Sequence, residues 1–301
     1  MGETGMERER SGTGVGLYLL LTMLLCAAPY ALMARYGVSG GAGGYVTALM
    51  WGPAVAAILT VWLLRLDWSS LGFAWRGTSS SWASYLLPIG YAGLAYVIVW
   101  STGMGRFATP ESIAPLAAQI GWTIEDPMLF AVLFFVFTGV TGIIVGTARG
   151  LGEEIGWRGF MAPRLQDRFG FTRAAAITGL IWASWHVPLI LYADYNSAAP
   201  RGFALVCFFV MVMNLSFIMA WFRLKSGSVW PAAIMHGSHN LFIQRIFTPL
   251  TEPTGDITAY AIDEFGFMLA ITSFAVALYL WFRRGEAVAA HEARRSGRET
   301  A

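Results

Sequence analysis

Apolar stretches of about twenty residues recur along the chain, separated by short breaks rich in glycine, proline and charge. A helix that crosses the bilayer needs roughly 20 mostly apolar residues. Eight windows meet that length: Val15–Ala34, Gly44–Leu64, Trp82–Gly103, Pro127–Gly150, Ala174–Tyr192, Phe203–Phe222, Val229–Phe247 and Phe265–Phe282. The breaks carry turn chemistry, as in Gly40-Gly41-Ala42-Gly43-Gly44 and Thr251-Glu252-Pro253-Thr254-Gly255-Asp256. No internal repeat and no soluble-domain patterning interrupts the series. The pattern predicts an all-α, polytopic membrane protein of about eight transmembrane helices, with both termini on one side.

The basic residues then suggest an orientation. The N-terminus, the connections after the second, fourth and sixth windows, and the C-terminal tail hold sixteen of the twenty lysines and arginines. The positive-inside rule places those segments, and so both termini, in the cytoplasm. One helix more or fewer would scramble the split. Composition agrees, with 56% hydrophobic and only 13% charged residues, against about 25% charged in soluble globular proteins. That excludes an ordinary soluble enzyme, a disordered chain, a collagen-like repeat and a nucleic-acid binder with a basic face. The net charge of +2 singles out no partner. Cys26 and Cys207, isolated in apolar runs, are expected as small buried hydrophobes. The first window is expected to persist as a helix, not a cleaved signal. Glu3, Glu7 and Glu9 dilute its basic flank, and the apolar run continues past Cys26-Ala27-Ala28.

Ionisable residues within spans are costly and usually mark function. Here they concentrate in three places: Glu153-Glu154-Ile155-Gly156-Trp157-Arg158, Trp182-Ala183-Ser184-Trp185-His186, and His236-Gly237-Ser238-His239-Asn240. Glu154 and Arg158 stand four apart, share a helix face and are expected to pair. Glu153 lies about 100° round the helix and cannot share that partner equally. Two carboxylates in unlike surroundings suit one of them to act as a general base. An interfacial charge cluster of both glutamates with Arg149, Arg158 and Arg164 is the plainer reading. His236 and Asn240 also share a face, whereas His239 joins them or points sideways. His186 taken singly reads as readily as a hydrogen-bonded core histidine. The fourth histidine, His291, lies in the basic tail and is expected to be solvated.

Helix rise puts His186 about 20 Å from Arg173 and His236 about 12 Å from Ser228. Glu153 reaches similar depth only if the fourth helix continues through its motif towards Pro163. A cavity open to the cytoplasmic side would hydrate the set. A carboxylate, imidazoles and an amide in such a cavity suit hydrolysis by an activated water. A divalent metal held by histidines and a glutamate is the competing chemistry, although no His-Glu-x-x-His helix is present. A proton-coupled transporter, or a scaffold held together by buried ions, is the non-enzymatic reading.

Taken in order, the three motifs resemble those of the CAAX protease and bacteriocin-processing family of intramembrane endopeptidases, also called the type II CAAX prenyl endopeptidase or ABI family. That family carries Glu-Glu-x-x-x-Arg, an aromatic-x-x-x-His and His-x-x-x-Asn. The resemblance covers roughly Gly150 to Phe242. Trp182 stands where Phe is usual, and His239 lies outside the pattern. The resemblance implies that Glu153 activates water, His186 holds that water, His236 and Asn240 form the oxyanion hole, and Glu154 and Arg158 support them. It implies no bound cofactor under the glutamate mechanism. In the metal-dependent alternative, zinc would be held by Glu153, His186 and His236.

The expected organisation is residues 1–126 as three N-terminal transmembrane helices, 127–250 as the catalytic core and 251–301 as a last helix with a basic tail. The implied partners are the bilayer and a membrane-embedded or lipidated peptide, with no nucleic acid, in a bacterial cytoplasmic membrane. The Arg158–Arg173 stretch is either an interfacial helix that guides such a peptide or an ordinary basic loop. A proteolytically silent immunity or scaffold protein is the alternative within the family.

Overall fold

The computed structural model describes residues 3–38, 43–123 and 125–297, with side chains from residue 14 onward. Gly40, Gly41 and Ala42 of the glycine-rich break lie outside those residues. The described chain forms α1 (Glu3–Tyr36), α2 (Gly44–Leu63), α3 (Thr78–Ser101), α4 (Pro110–Ile120), α5 (Pro127–Glu154), α6 (Ala162–Tyr192), α7 (Arg201–Ser226), α8 (Trp230–Asn240), α9 (Asp256–Ala261), α10 (Phe267–Phe282) and α11 (Arg284–Arg295). Every apolar window falls on a helix, and the protein is an all-α, polytopic membrane protein. Among the described residues five helical runs are long and apolar enough to cross a bilayer, or six if α10 and α11, bent by 54°, count as one.

The tally is lower than the window count because α8 and α10, at 11 and 16 residues, are each short for a span and because two windows share one run. The fourth and fifth windows belong to one helical run, Pro127–Tyr192, of 66 residues. At 1.5 Å per residue a straight helix of that length would measure about 99 Å, three bilayer cores. The run turns back at Gly170, where φ 75° and ψ 172° break the helix at a conformation suited to glycine. The break after the fourth window is therefore not a loop: a π-helical segment, Ile155–Met161, joins α5 directly to α6. A second π-helical segment, Leu241–Phe247, extends α8. The start of α5 is locally encoded, with Pro127 in its first turn and Asp126 Oδ1 accepting from the Met128 and Leu129 N–H groups at 2.8 and 2.9 Å.

The connections sort onto two faces. On one, Arg223 near the end of α7 donates to the Ser70 carbonyl between α2 and α3 at 3.0 Å. Arg164 of α6 reaches the Ser70 hydroxyl at 3.2 Å, and Arg294 of α11 donates to the Lys225 carbonyl at 3.1 Å. On the other, β1 (Gly105–Phe107) pairs antiparallel with β2 (Thr251–Pro253), joining the connection after α3 to that after α8. Tyr195, after α6, donates to Glu264, before α10, at 2.5 Å. The basic connections thus gather together, opposite a face carrying the two-stranded sheet and α4, neither of which the apolar pattern indicated. Outward-facing apolar residues line α5, with Ile144 74% exposed, as lipid contact requires.

Small residues set the central packing. Gly139, Gly142, Gly146 and Gly150 form a stripe on α5 that lets α8 and its π-helical extension press close. A Cβ at Gly237 would lie 2.5 Å from backbone atoms of Gly146 and Thr147, and one at Gly150 would lie 3.0 Å from His236 Cβ. On another face, Gly152 and Gly156 admit α2, where added Cβ atoms would meet the Met50 and Pro53 carbonyls at 2.8 Å. Gly237→Ala must push two backbones apart, with a stability loss of about 1–3 kcal/mol expected for overpacking. A lowered Tm in detergent would register it; an unchanged Tm would mean the α5–α8 contact is looser than described.

Candidate active site

The sequence of α5 and its π-helical continuation carries Glu153 and Glu154 into the middle of the bundle, and both are buried. They face different partners, as their angular separation requires. Glu154 Oε1 accepts from Arg158 Nη1 at 2.9 Å and meets His236 Nδ1 at 3.0 Å. Arg158 is wholly buried, stacks over the Trp182 ring at 4.2 Å, and its carbonyl accepts from Arg223 Nε at 2.9 Å. Glu153 Oε2 instead accepts from two indoles, Trp182 Nε1 at 2.7 Å and Trp157 Nε1 at 3.4 Å. Its Oε1 faces His236 Nε2 at 3.9 Å, beyond hydrogen-bond reach.

The helix α6 supplies His186 one turn beyond Trp182. The His186 Nδ1 pairs with the Trp182 carbonyl at 2.9 Å. A carbonyl partner requires Nδ1–H, which leaves Nε2 as the free acceptor. The His186 ring packs among Trp185, Tyr195 and Phe208. Asn240 is half-buried, and its amide has no side-chain partner among the described residues.

A cavity of about 550 Å3 brings these residues together, with Glu153, His186, His236 and Asn240 all on its wall. Its lining continues through Leu49 and Met50 of α2, Val145 and Arg149 of α5, Gln119 of α4 and Arg245 beyond α8. The cavity therefore extends towards the face that carries the two-stranded sheet and between α2 and α5. It does not extend towards the basic connections, where Leu71, Trp157 and Arg158 are buried and Gly159 packs on the Leu71 carbonyl. The two expectations, basic segments in the cytoplasm and a cavity open to the cytoplasm, consequently separate. The expected cluster of Arg149, Arg158 and Arg164 also dissolves: Arg158 is buried in the ion pair, Arg164 stacks on Phe160 at 3.8 Å, and Arg149 lines the cavity. His291 is partnered too, meeting Asp167 at 3.1 Å.

The metal alternative fits this arrangement poorly. Among the described residues no group of three His, Cys, Asp or Glu side chains is disposed to hold an ion. His236 turns Nδ1 to Glu154, and the Glu153 oxygen nearest its Nε2 is 3.9 Å away. His186 makes no hydrogen bond to either group among the described residues.

Further residues escaped the motif reading. His239 turns away from Glu153, its Nδ1 on the Tyr91 hydroxyl at 2.5 Å and its Nε2 3.3 Å from Glu264 Oε1. Glu264 Oε2 also accepts from Tyr195 at 2.5 Å and Gln244 at 3.0 Å. Glu264 precedes α10, in a connection whose sequence gave no sign of burial, while Trp157 read only as apolar bulk and Trp182 only as the aromatic of its motif. Beside Glu264, burial and then the Glu264 charge push the Asp263 carboxyl up to about 7. The folded state thus favours neutral Asp263. Its contribution to stability is complete below the unfolded aspartate pKa, about 4, and is lost as pH rises through about 7. Asp263→Asn, which tolerates the positive φ of 67° there, should gain Tm relative to wild type progressively between those limits and plateau above. A pH-independent offset would contradict the assignment.

Residues 125–242 match the family model described as type II CAAX prenyl endopeptidase Rce1-like. A curated relative, CAAX prenyl protease 2 from Methanococcus maripaludis, is 33% identical over 96 residues, which are 30% of this chain and 34% of that protein. The chain thus matches about a third of that relative's length. The matched segment contains α5, α6, α7 and α8, and with them Glu153, His186, His236 and Asn240. Through this segment the chain is similar to the type II CAAX prenyl endopeptidase family.

Proposed function

We propose that the protein is an intramembrane endopeptidase that hydrolyses peptide bonds in membrane-embedded or lipidated substrates, using a water activated by Glu153. The observation that carries this reading is the divided environment of Glu153: Oε2 is held by two indole N–H groups, while Oε1 faces His236 across the cavity. A carboxylate so fixed keeps one oxygen oriented as a base. A water in the cavity would give one proton to Glu153, donate its other O–H to the free Nε2 of His186, and attack the scissile carbonyl. The Asn240 amide is the unpaired donor suited to the developing oxyanion. His236 already commits Nδ1–H to Glu154, so donation from its Nε2 requires the doubly protonated ring. The two carboxylates at 3.0 and 3.9 Å favour that charge electrostatically. Glu153 finally returns its proton to the leaving amine.

Charge bias governs how loops insert, not where a cavity opens. We therefore keep the basic connections in the cytoplasm of a bacterial membrane and place the cavity mouth in the opposite half, reached laterally between α2 and α5. The experiment is cleavage of lipidated and unlipidated peptides by the protein in liposomes, with and without chelator. Cleavage confined to lipidated peptides and insensitive to chelator is expected. No cleavage of either would point to the silent immunity or scaffold reading, and loss on chelation restored by zinc would favour the metal mechanism.

A further inference from the structure

Besides Glu153, one carboxylate lines the cavity, Glu264, in the connection before α10. It is only 4% exposed, and it lies beyond the segment that matches the family model, which ends at residue 242. A buried carboxylate is costly unless donors surround it. Here Oε2 accepts from the Tyr195 hydroxyl at 2.5 Å and from Gln244 Nε2 at 3.0 Å, while Oε1 faces His239 Nε2 at 3.3 Å. These partners come from two directions, and each direction leads to a residue assigned to the reaction.

The first leads to His186. The Tyr195 ring, pinned by its hydroxyl, packs on the His186 ring with centroids 6.1 Å apart. Phe265, next to Glu264 in the chain, packs on Tyr195 at 5.2 Å and stacks on Phe208 at 5.4 Å, and Phe208 meets His186 at 5.0 Å. The bond from Nδ1–H to the Trp182 carbonyl sets the His186 tautomer. The plane of the ring is set by this aromatic wall.

The second leads to Asn240. His239 immediately precedes it and Gln244 follows it by four residues, so Glu264 holds the chain on both sides of the amide. Residues five apart, such as His239 and Gln244, diverge by about 140° on a regular α-helix. The π-helical segment that begins at Leu241 bonds i to i+5, which turns residues five apart towards one face. His239 is tied in turn to α3, its Nδ1 on the Tyr91 hydroxyl at 2.5 Å.

We infer that Glu264 is a positioning residue for the hydrolysis: through Tyr195 it holds the imidazole that orients the water, and through His239 and Gln244 the amide that receives the oxyanion. This rests on the endopeptidase reading above. Both Glu264 oxygens face protein partners, so it acts through these side chains and not on the substrate.

The test is a pair of double-mutant cycles on cleavage of a lipidated peptide in liposomes. Tyr195→Phe removes only a hydroxyl, and Gln244→Met only an amide. Each should lower kcat about tenfold, inside the roughly hundredfold that misplacement by about 1 Å costs, with KM held within about threefold. Tyr195→Phe should cost nothing further on His186→Ala, nor Gln244→Met on Asn240→Ala, because residues that act through one another are not additive. Glu264→Leu should combine both losses, and Glu264→Gln, which keeps an oxygen for Tyr195, should recover part of kcat. Glu252→Gln, whose carboxylate pairs with Arg106 in the two-stranded sheet, should leave kcat unchanged. If Glu264→Leu does not fold, the two cycles still decide. Full additivity in both, or losses in Tm alone, would overturn the inference while leaving the protease reading in place. If wild type cleaves no peptide, the protease reading fails, and imidazole ¹⁵N spectra of histidine-labelled protein decide whether Glu264 holds His186. The His186 signals, identified by their loss in His186→Ala, should shift in Tyr195→Phe while those of His291 stay fixed. Unmoved His186 signals would overturn that hold.

Discussion

Glu153→Gln is expected to lower kcat for a lipidated peptide by about 10²–10⁴-fold, the range for removing a positioned general base, with KM nearly unchanged. The substitution keeps the shape of the side chain and an oxygen to accept from the Trp182 indole, which donates to Glu153 at 2.7 Å. The helix packing that Gly152 provides against α2 is untouched, so Tm in detergent should stay near wild type. The loss should not be recovered at high pH, because a neutral amide has no proton to release. His186→Ala should reduce kcat as well, since its free Nε2 is assigned to the attacking water, without disturbing the Glu153–indole contacts. If Glu153→Gln retains activity within about threefold, the base lies elsewhere. Glu264 would then be the carboxylate to test, because it lines the same cavity. Activity measured per folded enzyme in liposomes distinguishes these outcomes.

Periodicity and charge made the helices and the polar set legible for plain reasons. Lipid contact demands uninterrupted apolar helix, so each window stood out, and costly groups such as Glu153 and His236 stood out against it. The i,i+4 rule placed Arg158 on Glu154, and the structure pairs them at 2.9 Å. What stayed hidden depends on contacts between distant segments. Glu264 sits in a connection that looks solvent-facing until Tyr195 and Gln244 close on it. Trp182 looked like a mild departure in an apolar helix, yet its N–H donates to Glu153, a bond that phenylalanine could not make. The sealed end of the cavity was not legible, because depth along one helix does not say which end closes. Here the turn around Ser70 closes the basic side through Arg223 and Arg164.

Arg158→Met should be the most damaging single change to stability, at about 3–5 kcal/mol for a buried ion pair stripped of one partner. Both side chains have no exposed surface. Removing the guanidinium would leave Glu154 with His236 alone to offset its charge, and would also end the stacking on Trp182 at 4.2 Å and alter the packing near the Arg158 carbonyl that receives Arg223. The pair is not fully satisfied even when intact, since Glu154 Oε2 and Arg158 Nε and Nη2 have no hydrogen-bond partner. Its desolvation is therefore incompletely offset. Replacing both partners with apolar groups of similar volume often proves neutral. The double variant E154L/R158M should accordingly recover most of the Tm lost by R158M. Catalysis should not recover with it, because Glu154 also holds His236 by Nδ1 at 3.0 Å, and without that anchor the imidazole is free to rotate away from Glu153. Equal recovery of Tm and kcat would make the pair a structural element alone. Failure of the double variant to regain Tm would instead mean that Arg158 stabilises the bundle mainly through Trp182 and the backbone around it.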